Sequence, residues 1–244
     1  MKKALILLSS ILILLLFGVQ CTFVEKHFGS IVKEDAYLLD LPGIQNRGFI
    51  RAAVDNNSTG YYIYRGRRMG YEYELLRDLA KRLNVQLHLV MVSDIDRAFD
   101  YLQDGKVDLI AMNLEKNMER SEKTSFSIPL GKMNTVLVGN ESSGKITAWD
   151  QLDSDTIYVR DGAVYNTQLC HLKDCLQLKY TIVPTPDHEE TLIDQVAEGK
   201  IKWTIADQNI AQANATYYGG LDISWKVQKE GDVSWVVRDN SPKL

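Results

Sequence analysis

The chain has 244 residues, 45% hydrophobic and 25% charged, with a formal net charge of -4. That hydrophobic content at this length builds a substantial core, as one large domain or two small lobes, and it excludes a disordered chain. A mildly acidic chain without a basic stripe also argues against nucleic acid as a partner.

The N-terminus reads as an export signal. Lys2 and Lys3 precede an apolar run from Ala4 to Phe17, and Gly18-Val19-Gln20-Cys21 follows. The run is short for a membrane-spanning helix and has no stop-transfer flank. Residues 1–21 are therefore expected to be a signal peptide ending at a lipidated Cys21, which would hold the protein at a membrane facing the periplasm. Gln20 stands where small residues are usual, so an ordinary cleaved signal or an uncleaved anchor is the alternative. Residues 22–46 read as a linker, with a turn at Pro42-Gly43.

From there the elements alternate. Gly48–Val54 reads as a strand running into the polar loop 55–60, followed by Tyr61, Tyr62 and Tyr64. Gly70 precedes a helix whose apolar face is Tyr71, Leu75, Leu76, Leu79 and Leu83. Val85–Val92 reads as a strand. Ser93 is expected to cap the next helix, which carries Ile95, Ala98, Phe99 and Leu102 at i, i+3, i+4, i+7. Asp108–Asn113 reads as a third, buried strand. A βαβαβ series implies a parallel sheet with right-handed crossovers.

Thr135–Val138 reads as a strand, and the polar stretch 139–144 as a crossing into a second lobe. Ile157–Arg160 is expected to be a strand, with Gly162-Ala163 in the turn after it. Backbone N–H groups at such a turn suit an anion. Thr181–Val183 follows, then a capping box with Asp187 as cap and Glu190 three residues on. Ile201–Ala206 reads as a strand ending at Asp207. One internal echo supports two similar lobes: Phe99…Gly105-Lys106…Ile110-Ala111 is matched by Val196…Gly199-Lys200…Ile205-Ala206. The expected boundaries are lobe 1 over 47–138, lobe 2 over 139–233, and a return to lobe 1 over 234–244. Cys170 and Cys175 lie five apart on an expected helix, which is poor disulfide geometry, and with His171 they match no zinc spacing. Buried or idle thiols are the reading, and neither metal nor cofactor is expected.

Ligands of open α/β sheets bind beyond the carboxyl ends of strands. Arg120 follows the third strand and Asp207 ends the echoed strand, so facing lobes would aim both into one cleft. A guanidinium suits a carboxylate and a carboxylate suits an ammonium, so the pair fits a zwitterion. Asn113 adds an amide nearby. The alternative is a solvated Arg120 and an Asp207 that caps the helix starting near Asn209.

The run D-L-I-A-x-N…E-R…F-S-x-P over 108–129, preceded by Met69-Gly70-Tyr71-Glu72-Tyr73-Glu74-Leu75, resembles family 3 of the bacterial extracellular solute-binding proteins. Together with Asn57-Ser58-Thr59 and Tyr62-Ile63-Tyr64-Arg65-Gly66, it is most similar to the N-terminal binding domain of the membrane-bound lytic transglycosylase F type. The resemblance covers about 47–244. It implies the type II periplasmic-binding fold: α/β, two lobes with a ligand cleft between them. It gives Arg120 to a ligand carboxylate, Asp207 to the ammonium, the Gly162-Ala163 turn to the carboxylate, and an aromatic such as Tyr61 or Tyr62 to stacking over the ligand. Ala163 departs from the hydroxyl residue usual there, which leaves only backbone contacts. The implied partners are an amino acid, small peptide or muropeptide, with an ABC permease or a lytic domain beside it. The helix that the family packs on lobe 1 after the return strand has no counterpart here, which reads as a fragment, a frameshifted product or a short member. A catalytic reading is the competitor, but the only Glu-Ser, Glu141-Ser142, lacks the Gly-Leu-Met-Gln stretch of a lytic domain. A non-catalytic half of such an enzyme is the alternative to an uptake receptor.

Overall fold

In the computed structural model, residues 39–116, 118–122 and 124–244 are described. The export signal, Cys21 and most of the expected linker lie outside them. The elements run α1 (Leu41–Arg47), β1 (Phe49–Val54), β2 (Tyr62–Tyr64), β3 (Arg67–Met69), α2 (Tyr71–Leu83), β4 (Gln86–Met91), α3 (Ile95–Gln103) and β5 (Leu109–Glu115). Then come α4 (Met118–Ser121), β6 (Thr124–Phe126), β7 (Gly131–Asn140), β8 (Thr156–Arg160), α5 (Tyr165–Leu176) and β9 (Thr181–Thr185). The last are α6 (Glu189–Ala197), β10 (Trp203–Asp207), α7 (Gln208–Ala215) and β11 (Leu221–Arg238).

One curled sheet carries both lobes, in the order β4-β1-β5-β11-β7-β10-β8-β9, with β6 also paired to β11. β1 pairs parallel with β4 and β5, and β8 pairs parallel with β9 and β10. These are the two βα units that the echo in the sequence implies. Each parallel set is apolar on both faces because helices cover both. In lobe 1, Ala52, Val54 and Leu109 pack against Leu76 on one face, while Ala53 and Ile110 pack against Ile95 and Leu102 on the other. In lobe 2, Ile157, Val159 and Ile205 pack with Leu169 and Tyr180; Ala206 joins Ile193 and Val196 on the opposite face.

The lobes are joined by two long antiparallel strands. β11 pairs with β7 from Leu221 to Val233 and with β5 from Val233 to Val237. β7 pairs with β10 of lobe 2 from Thr135 to Gly139. The change of partner therefore falls near 131–135 and 228–233, earlier in β7 than the polar stretch 139–144 that the sequence pointed to. Polar residues mark the far end of β7, whereas the crossing is a regular strand without a turn signal. Arg238 locks the return strand into lobe 1: it is buried and donates to the carbonyls of Leu102 and Val107 at 3.0 and 2.8 Å.

Several local expectations are corrected. Pro42-Gly43 opens α1 instead of a free turn; Asp40 caps it through the Leu41 amide, and Ile44 is buried in lobe 1. Pro is well suited to a first helical turn. Asp94, one residue past Ser93, caps α3 by accepting from the Arg97 amide at 3.1 Å. His188 stands at the cap of α6 without a side-chain bond, and Asp187 instead accepts from Gln195 at 3.1 Å. Tyr71 is exposed, so the apolar face of α2 begins at Tyr73. Cys170 and Cys175 are free and exposed on α5, not buried. No helix among the described residues is long and apolar enough to cross a membrane.

Candidate functional site

Where the two lobes face each other, the ends of β1, β5, β8 and β10 meet around a small cavity of about 50 Å³. Such a volume holds a few waters. From lobe 1 it is lined by Asp55, Asn113, Glu115 and Arg120. From lobe 2 it is lined by Arg160, Ala163, Tyr165, Glu189 and Asp207. The sequence thus placed Arg120, Asp207, Asn113 and Ala163 on one cavity. Gly162 stands just outside it: its carbonyl accepts from Arg120 Nη2, and its amide donates to Asp161 Oδ1 at 3.0 Å. Arg120 reaches that carbonyl across the cleft, with its guanidinium 4.9 Å from the centre of the Phe99 ring. Asp96 Oδ1 lies 3.8 Å from it. It is therefore not a solvated arginine.

Asp207 is the last residue of β10, and it does not cap α7 with its side chain. Instead its Oδ1 accepts from the Tyr165 hydroxyl at 3.0 Å. Burial raises the Asp207 carboxyl to a pKa of about 7, with Glu189 adding repulsion and the Tyr165 bond opposing the rise. Burial, then the charges of Asp207 and Glu189, push the Tyr165 phenol well above its ordinary value. Tyr165 is thus held as a donor, and Asp207 is a carboxylate with spare accepting capacity.

Tyr61 and Tyr62 do not line the cavity. Tyr61 is buried in the lobe 1 core, edge to face with Tyr73 at 5.9 Å. Tyr62 opens the two-stranded ribbon β2-β3, paired to Met69. The loop after β1 folds back through a bridge between Asn57 and Tyr61, and the Tyr61 ring enters the lobe 1 core.

Besides Tyr165, five residues at the site were not singled out from the sequence: Arg160, Asp55, His188, Glu189 and Glu115. Arg160 ends β8 as Asp207 ends the adjacent β10, so the strand-end rule applies to it equally. Its Nη1 donates to Asp55 Oδ2 at 2.6 Å and to Glu189 Oε2 at 2.9 Å, and its Nη2 donates to the Ser93 carbonyl. Burial works against its charge, yet Glu189 and Asp55 outweigh burial and raise its pKa. Burial raises the Asp55 carboxyl, and Arg160 opposes that. His188 Nδ1 lies 3.5 Å from Asp55 Oδ1. Asp55, His188 and Glu189 lie close enough to suit a metal ion, but the Arg160 guanidinium already supplies the cation among them. Glu115 shares a strand face with Asn113 two residues earlier. It accepts from Gln168 of lobe 2 at 3.0 Å and from Gln228 of β11 at 3.1 Å. Burial raises its carboxyl, and those two bonds oppose the rise. Beyond Asn113 a second cavity of about 330 Å³ continues past Thr59, Glu72, Lys132 and Asn209.

Bacterial extracellular solute-binding proteins, family 3, match residues 50–221. The chain belongs to this family. Its relatives include two proteins named membrane-bound lytic murein transglycosylase F. The one from Desulfosudis oleivorans is 33% identical over 80% of this chain and 43% of its own length. The one from Actinobacillus succinogenes is 29% identical over 99% of this chain and 49% of its own length. The chain thus spans about half the length of these relatives. Among solved structures, the solute receptor for L-cysteine of Neisseria gonorrhoeae superposes with a TM-score of 0.74 at 23% identity, over 84% of this chain and 83% of that one. Holo ArgBP from T. maritima gives a TM-score of 0.70 at 19% identity, over 81% and 86%. At these identities the likeness is one of fold: the type II periplasmic-binding architecture of two α/β lobes around a cleft.

Proposed function

We propose that this chain is an exported solute-binding domain that clamps a small zwitterion, an amino acid or the end of a short peptide or muropeptide, between Arg120 and Asp207. The observation that carries the reading is their placement on one interlobe cavity, a guanidinium from lobe 1 and a buried carboxylate from lobe 2. Arg120 now spends one donor on the Gly162 carbonyl. A ligand carboxylate exchanges that neutral acceptor for a charged one, and charge-assisted pairs are roughly twice as strong. The cavity of about 330 Å³ beyond Asn113 leaves room for a ligand longer than one amino acid. The acylated Cys21 of the expected signal would hold the domain at a membrane in the periplasm.

A second role for the same binding act is favoured by the relatives. Both named transglycosylases are about twice as long as this chain. In that reading the domain is the sensing, non-catalytic half of a peptidoglycan-cleaving enzyme, and ligand binding regulates a lytic domain instead of delivering solute to a permease.

Calorimetry on an amino acid and muropeptide panel, with Arg120→Ala and Asp207→Ala alongside wild type, tests the clamp. Truncating one partner of a desolvated charge pair costs about 2–5 kcal/mol, some 30- to several-thousand-fold in affinity. If both variants bind within threefold of wild type, the clamp is wrong.

A further inference from the structure

The Arg160 guanidinium sits in the cleft at 5% exposure. It donates to Asp55 and to the Ser93 carbonyl of lobe 1, and to Glu189 of lobe 2. One internal side chain thus bridges the lobes and is the shared counter-ion of two buried carboxylates. Those partners, two carboxylates and a carbonyl around a planar fork of donors, are what a guanidinium or ammonium ligand requires. The space left beside Asp55 and Glu189 is about 50 Å³, too little to seat a second guanidinium at these carboxylates, and the larger cavity beyond Asn113 is lined by neither of them.

We propose that Arg160 is a built-in occupant of the cleft's cationic subsite and so sets its specificity: zwitterions with small uncharged side chains are taken, and arginine and lysine are refused. The statement about zwitterions rests on the Arg120–Asp207 reading; the statement about the subsite does not. The exclusion has two parts. Asp55 Oδ2 and Glu189 Oε2 already accept from Arg160, so an incoming cation must compete with an internal guanidinium for them. It would also face the Arg160 guanidinium at contact distance, and such like-charge juxtaposition suppresses wrong partners. Removing Arg160 reverses both parts, leaving two facing carboxylates and the volume of one arginine side chain.

The test uses the full chain purified in a mild detergent. Wild type is expected to bind alanine at least tenfold more tightly than arginine, and Arg160→Ala to gain at least tenfold for arginine. Wild type binding arginine within threefold of alanine would overturn the proposal without any variant. Ethylguanidinium, which has neither carboxylate nor ammonium, probes the subsite alone. At about 20 mM it is expected to raise the melting midpoint of Arg160→Ala by about 3 °C and to leave wild type unraised, since only the variant has a seat for it. Equal shifts in both, or none in the variant, would refute the occupancy. Where Arg160→Ala does not fold, Arg160→Met keeps much of the buried stem and is measured in the same way. If no form binds any amino acid, the zwitterion reading fails, and the ethylguanidinium comparison still decides the subsite.

Discussion

Tyr165 donates its hydroxyl to Asp207 at 3.0 Å, and both side chains are buried in lobe 2. The bond fixes the direction of one carboxylate oxygen and leaves the rest of the group to the cleft. Because burial holds the Asp207 pKa near 7 in the folded protein, against 3.8 ordinarily, ionisation is resisted by the fold. Stability from this group is complete below about pH 4 and is lost as pH rises toward 7; the two-state difference amounts to about 4 kcal/mol, an order-of-magnitude figure. Asp207→Asn keeps an acceptor for Tyr165 and removes the ionisation. Its melting midpoint is expected to change less between pH 4.5 and 7.5 than that of wild type. Ligand affinity should move the opposite way, since an ammonium needs the ionised form: it falls about tenfold per pH unit below 7 in wild type. Parallel pH profiles for wild type and Asp207→Asn stability would contradict the assignment.

Glu72 is the second buried acid with this behaviour. Its Oε2 accepts from the Trp235 indole of β11, and burial raises its pKa to about 7 against that bond. The pair ties the start of α2 to the return strand. Its stability contribution is therefore largest below about pH 4.5 and declines as pH approaches 7. Glu72→Gln keeps an acceptor for the indole and is expected to flatten this slope. Glu72→Ala leaves a buried N–H without a partner, at about 1–3 kcal/mol. Trp235 fluorescence during urea unfolding at pH 5 and 7.5 separates the two; Glu72→Ala as stable as wild type at pH 5 would show that the bond does not matter.

Gly70 is fixed by geometry. Its φ is +124°, and a Cβ there would lie 2.2 Å from the Gly60 carbonyl oxygen. The close approach is real backbone pairing, since the Tyr71 amide donates to the Thr59 carbonyl at 2.8 Å. Both the backbone conformation and the contact forbid a side chain. Gly70→Ala is expected to lose more than about 3 kcal/mol or to accumulate as insoluble protein, as overpacking and backbone strain together predict. A denaturation midpoint equal to wild type would mean that the 59–71 turn is not held as described.

How much of this was legible in the sequence follows from which signals are local. The Met69–Leu75 motif and the buried runs at 109–112 and 203–206 report strand and helix period directly, so the lobes and their echo were readable. Asp207 was readable because it stands at a strand end, and Arg120 because it follows one closely, in α4 after β5. Arg160 met the same rule, but its role depends on Asp55 and Glu189, 105 and 29 residues away, and no local period encodes such a contact. The Tyr61 ring was misplaced because loop 55–61 folds back on itself. Asp187 met the capping-box spacing, yet the helix starts two residues later and its carboxylate finds Gln195.

Cys21 lies outside the described residues, and its lipidation is tested in the cell. The expectation rests on Lys2, Lys3, the apolar run and the Cys at its edge. A lipoprotein carrying more than one acyl chain stays on the membrane, since two anchors hold where a single chain binds reversibly. Cys21→Ser is expected to move the protein from the membrane pellet to the soluble periplasmic fraction. Wild type already found in that soluble fraction would rule out the anchor.

The lobes are joined by β7 and β11, and β11 has register shifts between Asp222 and Trp225, Lys226 and Gln228, and Gln228 and Gly231. Such irregularities bend and twist a strand. Glu230 also takes a left-handed φ of 54°. Past Val233 the same strand is paired on both sides, to β5 and to β6. The bending point is therefore expected at 226–233 of β11 and the facing 131–135 of β7, as in hinge closure about loosely held segments. Contacts that hold the lobes together include Arg160 to Asp55 and to the Ser93 carbonyl, Arg120 to the Gly162 carbonyl, Gln168 to Glu115, Asn209 to Thr59 and the Ser58 amide to Glu190. Hydrogen exchange should find the amides of 226–232 exchanging at least about tenfold faster than those of 234–237, because local opening follows loss of paired, buried backbone. Asp55→Ala cuts one of those contacts and leaves Arg160 with a single carboxylate. Its radius of gyration by small-angle scattering should exceed that of wild type, for which about 17 Å is expected of a compact body of about 200 residues. Uniform protection along β11 together with an unchanged radius in Asp55→Ala would place the hinge elsewhere.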